Sequence, residues 1–236
     1  MLNIMVIGSE GMLGQAFQKD CSIGYRLLCI DKEINEPELN QHLWKFSCDI
    51  TSSTDLDTTY KLIKNKGISI DGLVYLAGIN PMKNFFNSTT ESWNKTFDLN
   101  ITGFMNCLKR FYDLFSDQVS IVCVASQNGI VGHENRICYG PSKAAIIQLV
   151  RNLSVDFSTY SDKDIKVNCV SPGYVLTEKN KDYFDTFSGK KLLNRNPYKR
   201  LVKTNDVINA INFLLSDQSI AIRGQNLVVD YGYTMI

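Results

Sequence analysis

The sequence lacks several features that identify other classes of protein. It has two histidines and no Cys-x-x-Cys pair among its seven cysteines, and we predict no metal site. No apolar run approaches the roughly 20 residues that a membrane-spanning helix needs. The formal net charge is only +1, which argues against a nucleic-acid partner. These absences favour a cytoplasmic protein without a membrane or nucleic-acid partner, whose first residues form a strand and not a cleavable signal.

The cysteines are scattered, and several fall within apolar segments. They are Cys21, Cys29, Cys48, Cys107, Cys123, Cys138 and Cys169. Reduced, buried thiols are the ordinary expectation for such positions in a cytoplasmic protein. Cys138 is a special case, because it directly precedes Tyr139, and lining a site there is the alternative to an ordinary buried thiol.

Short apolar segments alternate with helical stretches along the whole chain. The predicted strands are 2–7, 25–30, 44–48, 72–77, 119–125, 165–170 and 226–229. This alternation predicts an α/β fold, a doubly wound parallel sheet of about seven strands with helices on both faces in a three-layer sandwich. The length of 236 residues suits a single domain spanning residues 1–236. A ligand of such a sheet binds outside the carboxyl ends of its strands.

The first predicted strand ends in a glycine-rich turn, which runs from Gly8 to Gly14 with a third glycine at Gly11. Glycines let a backbone approach a pyrophosphate closely, and the N-terminus of the following helix presents free N–H groups to it. A strand before the glycines and an amphipathic helix after them are the context that this motif requires. The turn therefore predicts a dinucleotide site.

Asp31 lies at the end of the second predicted strand, some twenty residues beyond the glycine turn. A carboxylate at this position accepts hydrogen bonds from both ribose hydroxyls and repels a 2′-phosphate. We therefore predict NAD as the cofactor, with NADP less favoured. Lys32 weakens the argument because it could partly neutralise a phosphate, and an acid in a loop without any ligand is the alternative.

Tyr139 and Lys143 are four residues apart, and Ser126 lies thirteen residues before the tyrosine. Residues four apart share one face of a helix, so the ammonium can lie beside the phenol and favour its ionised form. A free phenol has a pKa of about 10, so acid/base work near neutral pH needs such a neighbour. The hydroxyl of Ser126 could hold the substrate oxygen whose proton Tyr139 transfers. Taken alone, a Tyr-x-x-x-Lys pattern also fits a solvated helix pair.

Together these residues resemble the short-chain dehydrogenase/reductase family, in its compact single-domain branch, over essentially the whole chain. The matching positions are the glycine turn, Asp31, Asp49-Ile50, Ala77-Gly78, Asn100, Ser126, Tyr139, Lys143, Pro172-Gly173, Thr177, Gly224 and Asp230. Their order and spacing carry the resemblance, and no single motif does.

The resemblance implies a role for each matching residue. Tyr139 would be the general acid/base, Ser126 would hold the substrate oxygen, and Lys143 would bond the nicotinamide ribose. Asn100 would kink its helix and hold a water that links Lys143 to solvent. The residues expected at the cofactor are Gly8, Ser9, Gly11, Met12, Leu13, Gly14, Asp31, Asp49, Ile50, Ala77, Gly78, Tyr139, Lys143, Pro172, Gly173, Val175 and Thr177. Of these, Asp49 and Ile50 would flank the adenine, and Val175 and Thr177 would hold the carboxamide.

Two departures from the family pattern stand out. The glycine spacing is G-x-x-G-x-x-G, which is similar to that of the longer, extended branch with its epimerases and dehydratases. The usual Asn-Asn-Ala-Gly after the fourth predicted strand is replaced by Tyr75-Leu76-Ala77-Gly78. The second change removes side-chain amides that tie the sheet together.

Residues 175–203 form the longest stretch without a clear strand, and the resemblance makes them the substrate loop. They carry eight basic residues against Glu178, Asp182 and Asp185. This charge favours an anionic substrate such as a carboxylate, a phosphate or a sugar nucleotide, although a solvated loop explains it equally well. We expect Ser126, Gln127, Asn128, His133 and Tyr174 to contact the substrate.

The sequence as a whole favours an NAD-dependent oxidoreductase that transfers a hydride between nicotinamide and a secondary alcohol or ketone. The alternatives are a non-catalytic dinucleotide sensor, and an epimerase or dehydratase with tightly bound NAD. The resemblance further implies a homo-oligomer, a dimer or a homotetramer.

Overall fold

A computed structural model describes residues 1–20, 24–36 and 38–235 of the chain. Cys21 lies outside these residues. The described part contains one eight-stranded sheet. Its strands are β1 (Leu2–Ile7), β2 (Tyr25–Asp31), β3 (Glu38–Leu39), β4 (Leu43–Ser47), β5 (Ile70–Tyr75), β6 (Phe115–Val124), β7 (Asp164–Pro172) and β8 (Asn226–Val229).

The strands follow the spatial order β3-β4-β2-β1-β5-β6-β7-β8. All neighbours are parallel except β3 and β4, which run antiparallel. The predicted α/β fold and all seven predicted strands are confirmed. β3 was not predicted, because its two exposed residues carry no apolar pattern.

The helices of the described residues connect successive strands. They are α1 (Met12–Asp20), α2 (Ser53–Asn65), α3 (Thr90–Phe97), α4 (Gly103–Phe111), α5 (Tyr139–Tyr160), α6 (Lys181–Asp185), α7 (Phe187–Asn194) and α8 (Thr204–Leu215). A π-helical turn, Asp98–Thr102, joins α3 to α4 without a break. None of these helices is long and apolar enough to cross a membrane.

The central strands carry continuous apolar runs because both faces of the sheet are covered. On β1, Met5 and Ile7 face a core built with α2, α4 and α5, whereas Ile4 and Val6 face a second core built with α1 and α8. Successive side chains of a strand point to opposite faces, so one short apolar run supplies both cores. The predicted three-layer arrangement is confirmed.

The strand order reverses between β1 and β5. The strands β2, β3 and β4 lie on one side of β1, and β5 to β8 follow on the other side. In doubly wound sheets, this switch point opens the crevice that receives a ligand. The turn after β1 and the loops after β5, β6 and β7 all meet here. The fold therefore brings residues from distant parts of the chain to one edge.

Residues 175–203, the predicted substrate loop, contain no strand of the sheet but are not irregular. They form α6 and α7, and a single bridge between Val175 and Val202 closes the base of the loop. Phe184 is buried beneath the loop. Neither helix was predicted, because the segment is rich in charged and polar residues and each helix spans at most eight residues.

The thiols of Cys29, Cys48, Cys107, Cys123, Cys138 and Cys169 are all free and buried. Burial raises the pKa of Cys29 to about 12 and that of Cys48 to about 11, which keeps both thiols protonated and unreactive. The sulfur of Cys138 lies 3.8 Å from the hydroxyl of Ser92 on α3.

Candidate active site

The glycine turn after β1 folds tightly against two neighbouring strands. The backbone N–H groups of Gly8 and Ser9 donate to the carbonyl of Ile30 at 2.9 and 3.4 Å. Gly8 adopts a φ of +84°, and a Cβ there would stand 2.5 Å from the nitrogen of Ala77. A Cβ on Gly14 would stand 2.4 Å from the carbonyl oxygen of Ser9. Only glycine fits these two positions.

The same turn opens α1, whose N-terminus carries Gly11, Met12 and Leu13. Gly11 and Met12 are exposed, and Leu13 is partly buried. The first N–H groups of a helix have no partner within it and attract anions. The close-fitting glycines and this accessible helix end fit the pyrophosphate of a dinucleotide cofactor.

Asp31 at the end of β2 is fixed by two backbone groups. Its carboxylate accepts hydrogen bonds at 3.0 Å from the N–H groups of Glu10 and Glu33. Glu10 belongs to the glycine turn and forms an ion pair with Lys45 at 3.5 Å. Lys32, which could have favoured a phosphate, lies instead 3.7 Å from the carboxylate of Glu33.

Asp49 and Ile50, predicted to flank the adenine, follow β4. Asp49 accepts hydrogen bonds from the N–H and the hydroxyl of Thr51 at 2.9 and 2.7 Å. These bonds hold the pKa of the Asp49 carboxyl below its usual value. Ile50 is buried, so only Asp49 presents its side chain partly to solvent.

Asn100 lies in the π-helical turn Asp98–Thr102 and is completely buried. Its amide oxygen accepts from the N–H of Ile79 at 2.9 Å. Its amide nitrogen donates to the carbonyl of Ile79 at 3.1 Å and to the hydroxyl of Ser142 at 2.9 Å. Asn100 thus ties the loop after β5 to α5. π-helical turns occur frequently at functional sites.

Gly78 explains why the loop after β5 can pass so close to this amide. A Cβ on Gly78 would stand 3.0 Å from the amide oxygen of Asn100 and 3.4 Å from the Nζ of Lys143. Ala77 precedes it and is partly buried. Tyr75, which replaces a family asparagine, supplies a different tie because its buried hydroxyl donates to the carbonyl of Leu99 at 2.5 Å.

The predicted acid/base group lies where α5 begins. Tyr139 is the first residue of α5 and is partly exposed, whereas Lys143 is only 5% exposed. The ammonium donates to the carbonyl of Val124 at 2.8 Å and lies 5.6 Å from the centre of the Tyr139 ring. Ser126 follows β6, and its hydroxyl accepts from the N–H of Asn128 at 3.2 Å. Lys143 therefore lies beside the Tyr139 ring and bonds the last residue of β6, two residues before Ser126.

The loop after β7 carries Pro172, Gly173, Val175 and Thr177. Asn180, which the sequence argument missed, shapes this loop. Its side chain accepts from the N–H of Thr177 at 2.8 Å and donates to the carbonyl of Val175 at 2.8 Å. The N–H of Asn180 in turn donates to the hydroxyl of Thr177 at 3.2 Å. An asparagine bonding its own loop is a turn signal that the sequence contained.

The predicted substrate residues have different surroundings. Gln127 is buried with an unpartnered amide oxygen, and a Cβ on Gly173 would stand 3.3 Å from that oxygen. Asn128 and His133 line an open cleft. The ring of His133 lies 6.0 Å from that of Tyr174, and burial raises the pKa of the Tyr174 phenol.

Arg136 lines the same cleft, and the sequence argument did not select it. It lies three residues before Tyr139, between β6 and α5. Arg136 forms none of the ion pairs of the described residues. Arg136 reaches the cleft only through the folding of the chain, and no local sequence pattern indicates this position.

Comparison with known proteins agrees with this geometry. Residues 31–234 match the family described as enoyl-(acyl carrier protein) reductase. L-xylulose reductase of Caenorhabditis elegans is 33% identical over 186 residues, 77% of this chain and 72% of the relative. Human 3-oxoacyl-[acyl-carrier-protein] reductase is 30% identical over 237 residues, 97% of this chain and 96% of the relative. The chain belongs to the short-chain dehydrogenase/reductase family.

Solved structures resemble the chain over its whole length. A short chain dehydrogenase family protein from Francisella tularensis has a TM-score of 0.87 and 27% identity, with 100% of both chains covered. ElxO with bound NADP has a TM-score of 0.85 and 26% identity, covering 100% of this chain and 99% of ElxO.

An NAD-dependent glycerol dehydrogenase of Listeria innocua is 30% identical over 189 residues, 79% of this chain and 73% of the relative. Relatives of this chain thus use either NAD or NADP.

Proposed function

We propose that this protein is an NAD-dependent oxidoreductase that interconverts a secondary alcohol and its ketone. The observation that carries the proposal is the buried ammonium of Lys143, which lies 5.6 Å from the phenol ring of Tyr139 and bonds the carbonyl of Val124, two residues before Ser126. The relatives named dehydrogenases and reductases support the same reaction class.

In the proposed oxidation, Tyr139 removes the hydroxyl proton of the substrate while a hydride leaves the same carbon. The hydroxyl of Ser126 holds the substrate oxygen as the carbonyl forms. The positive charge of Lys143 stabilises the phenolate that accepts the proton. Bound NAD would supply the hydride acceptor of this reaction. In the reverse direction Tyr139 donates its proton to the carbonyl oxygen.

Asn100 has a positioning role in this proposal. Its amide bonds both the loop after β5 and Ser142, the residue before Lys143. The π-helical turn changes the carbonyl pattern of the helix at this point, which supports the predicted water link from Lys143 to solvent. Proton transfer would then continue from Tyr139 through Lys143 to that water.

We propose NAD in preference to NADP because the carboxylate of Asp31 lies at the end of β2 and bonds the glycine turn, the position from which it would repel a 2′-phosphate. Asp31 is held by two backbone N–H groups, and Glu10 lies next to it in the glycine turn. Lys45 and Lys32 are each engaged with a glutamate. A carboxylate fixed at this position would repel the like charge of a 2′-phosphate. Asp49 would lie at the adenine, and Val175 and Thr177 at the carboxamide.

The direct test is an assay of the purified protein with NAD and a panel of secondary alcohols, and with NADH and the matching ketones. We expect a change in reduced-nicotinamide absorbance with at least one substrate pair. NAD binding without turnover of any member would favour a dinucleotide sensor. NAD that stays bound through purification, with no net NADH release, would favour an epimerase or dehydratase. Both results would overturn the proposal.

The oligomeric state belongs to the proposal as well. We propose a homo-oligomer, a dimer or a tetramer, because compact members of the family usually pair through the helix that begins at the catalytic tyrosine. Sedimentation of the purified protein at micromolar concentration tests it, and a monomer would contradict it. The proposed location is the cytoplasm.

A further inference from the structure

A cleft of about 490 Å³ adjoins the proposed catalytic centre. It lies between the loop after β5, the loop from β6 to α5, and the first turns of α5. Two of its lining residues connect it to the centre: Gly140 directly follows Tyr139, and the N–H of Asn128 donates to the hydroxyl of Ser126. The cleft is therefore built from the chain segments that carry Ser126 and Tyr139, although neither of these side chains lines it.

Arg136 is the cation of this cleft, and its hydrogen bonding is incomplete. One Nη donates to the carbonyl of Asn135 at 2.9 Å. The Nε is buried and has no partner. A guanidinium carries five donors, and a buried donor without a partner is costly. The amide oxygen of Asn128, on the wall of the same cleft, is also buried and unpartnered.

The electrostatic surroundings of Arg136 distinguish it from the basic residues of the substrate loop. Lys181 of that loop pairs with Glu178 at 2.6 Å, and most of the other basic side chains there are exposed. Water screens exposed charges. Arg136 forms no ion pair with any residue in the described ranges. Its charge also opposes the burial that raises the pKa of the nearby Tyr174 phenol.

The remaining wall of the cleft is mostly apolar, with the exposed Glu134 as its one carboxylate. Phe85, Ile130, Val131 and Ile137 contribute to it, and Phe85 is 75% exposed. An apolar wall beside a single cation fits a ligand with a short hydrocarbon part and one anionic end. A planar guanidinium binds carboxylate or phosphate through paired hydrogen bonds.

We propose that Arg136 binds an anionic group of the substrate, a carboxylate or a phosphate, and that the substrate is an acidic hydroxy or oxo compound. This proposal rests on the proposed oxidoreductase function. The reacting carbon would lie at Ser126 and Tyr139, and the anionic group would reach the cleft. Arg136, and not the basic residues of the substrate loop, then selects acidic substrates.

A series of ketones of increasing length tests the proposal. Acetoacetate, 4-oxopentanoate and 5-oxohexanoate are compared with their methyl esters, and dihydroxyacetone phosphate is compared with dihydroxyacetone, each with NADH. For wild type we expect kcat/KM to favour the anion at one chain length. In Arg136→Gln this preference should fall about tenfold or more, mainly through KM, as the loss of a charge-assisted pair implies. Arg136→Lys should restore part of it.

Two control variants separate this site from general charge effects. Arg151→Gln removes an exposed arginine of α5, and Lys190→Gln removes an exposed lysine from the substrate loop. Both should retain the wild-type preference for anions. If Lys190→Gln lowers the preference and Arg136→Gln does not, the substrate loop binds the anion and the proposal is wrong.

Binding provides a second measurement that does not depend on turnover. Calorimetric titration of the NADH-bound protein with each anion should give binding in wild type and at least tenfold weaker binding in Arg136→Gln. Binding that depends on Arg136 without turnover would support the anion site and contradict the oxidoreductase function. Turnover of neutral ketones without any binding of the anions would support the oxidoreductase function and contradict the anion site. A preference for either the carboxylates or the phosphate identifies the anionic group.

Discussion

Asp31 is the side chain on which the proposed preference for NAD depends. Its carboxylate accepts hydrogen bonds from Glu10 and Glu33, so its position is fixed before any ligand arrives. A fixed carboxylate loses little entropy when it accepts a ribose hydroxyl. The sequence predicted Asp31 from its distance to the glycines, but it gave no sign that two backbone N–H groups hold its carboxylate.

Replacing Asp31 by alanine should reduce the preference for NAD. We expect NAD binding to weaken about tenfold, the cost of losing one or two charge-assisted hydrogen bonds, while NADP binding changes less or improves. Calorimetric titration of both cofactors measures this. Glu33→Ala, which removes an exposed neighbouring carboxylate, is the control and should keep the preference. An unchanged NAD-to-NADP ratio in Asp31→Ala would refute the cofactor proposal.

At the scale of elements, the helix α3-α4 and its π-helical turn depend on a buried amide. Asn100 makes three hydrogen bonds inside the protein, two of them with the backbone of Ile79. The sequence marked Asn100 through its distance from Ser126 but could not supply its partners. Tyr75 is a comparable case. The loss of the family asparagines suggested weaker hydrogen bonding of this strand end, whereas the hydroxyl of Tyr75 donates to the carbonyl of Leu99 in the neighbouring helix.

Asn100→Ala should destabilise the fold as well as the site. The change leaves backbone groups of Ile79 without a partner in a buried place, and we expect a loss of about 3 kcal/mol in the free energy of unfolding. Urea unfolding measures it. Asn94→Ala, at an exposed position of α3, is the matched control and should alter stability by less than about 0.5 kcal/mol. Equal stabilities of the two variants would mean that the amide of Asn100 contributes nothing.

The substrate loop marks the limit of sequence-based prediction at this scale. Its helices α6 and α7 span five and eight residues, too short for a clear apolar period. Their position depends on contacts such as the burial of Phe184 and the bridge from Val175 to Val202. The strands were predictable for the opposite reason, because two buried faces impose continuous apolar runs.

At the scale of the whole molecule, several carboxylates couple folding to pH. Hydrogen bonds hold the pKa values of three carboxyls below their usual range: Thr51 acts on Asp49, Tyr112 on Asp162, and Arg223 on Asp164. A carboxyl with a lower pKa in the folded state stabilises the fold above its unfolded pKa. That contribution disappears as the pH falls through the folded pKa.

These three carboxyls should leave the free energy of unfolding unchanged between about pH 7 and pH 5. They should lower it as the pH falls below about 4. Urea unfolding at a series of pH values measures this. Asp164→Asn should make the decline shallower, because it removes one of the three groups. Asp156→Asn, at an exposed position of α5, should leave the decline as it is. A stability that rises between pH 4 and pH 3 would contradict the argument.

The central claim is that Tyr139 transfers the proton of the reaction. Its most direct test is Tyr139→Phe, measured once by turnover and once by calorimetric titration with NAD. The change removes only the phenolic hydroxyl group, which has no hydrogen-bond partner among the described residues. The fold and the cofactor site should therefore persist. We predict a fall in kcat of about 10²-fold or more, with NAD affinity nearly unchanged. Turnover close to that of wild type in Tyr139→Phe would contradict the account.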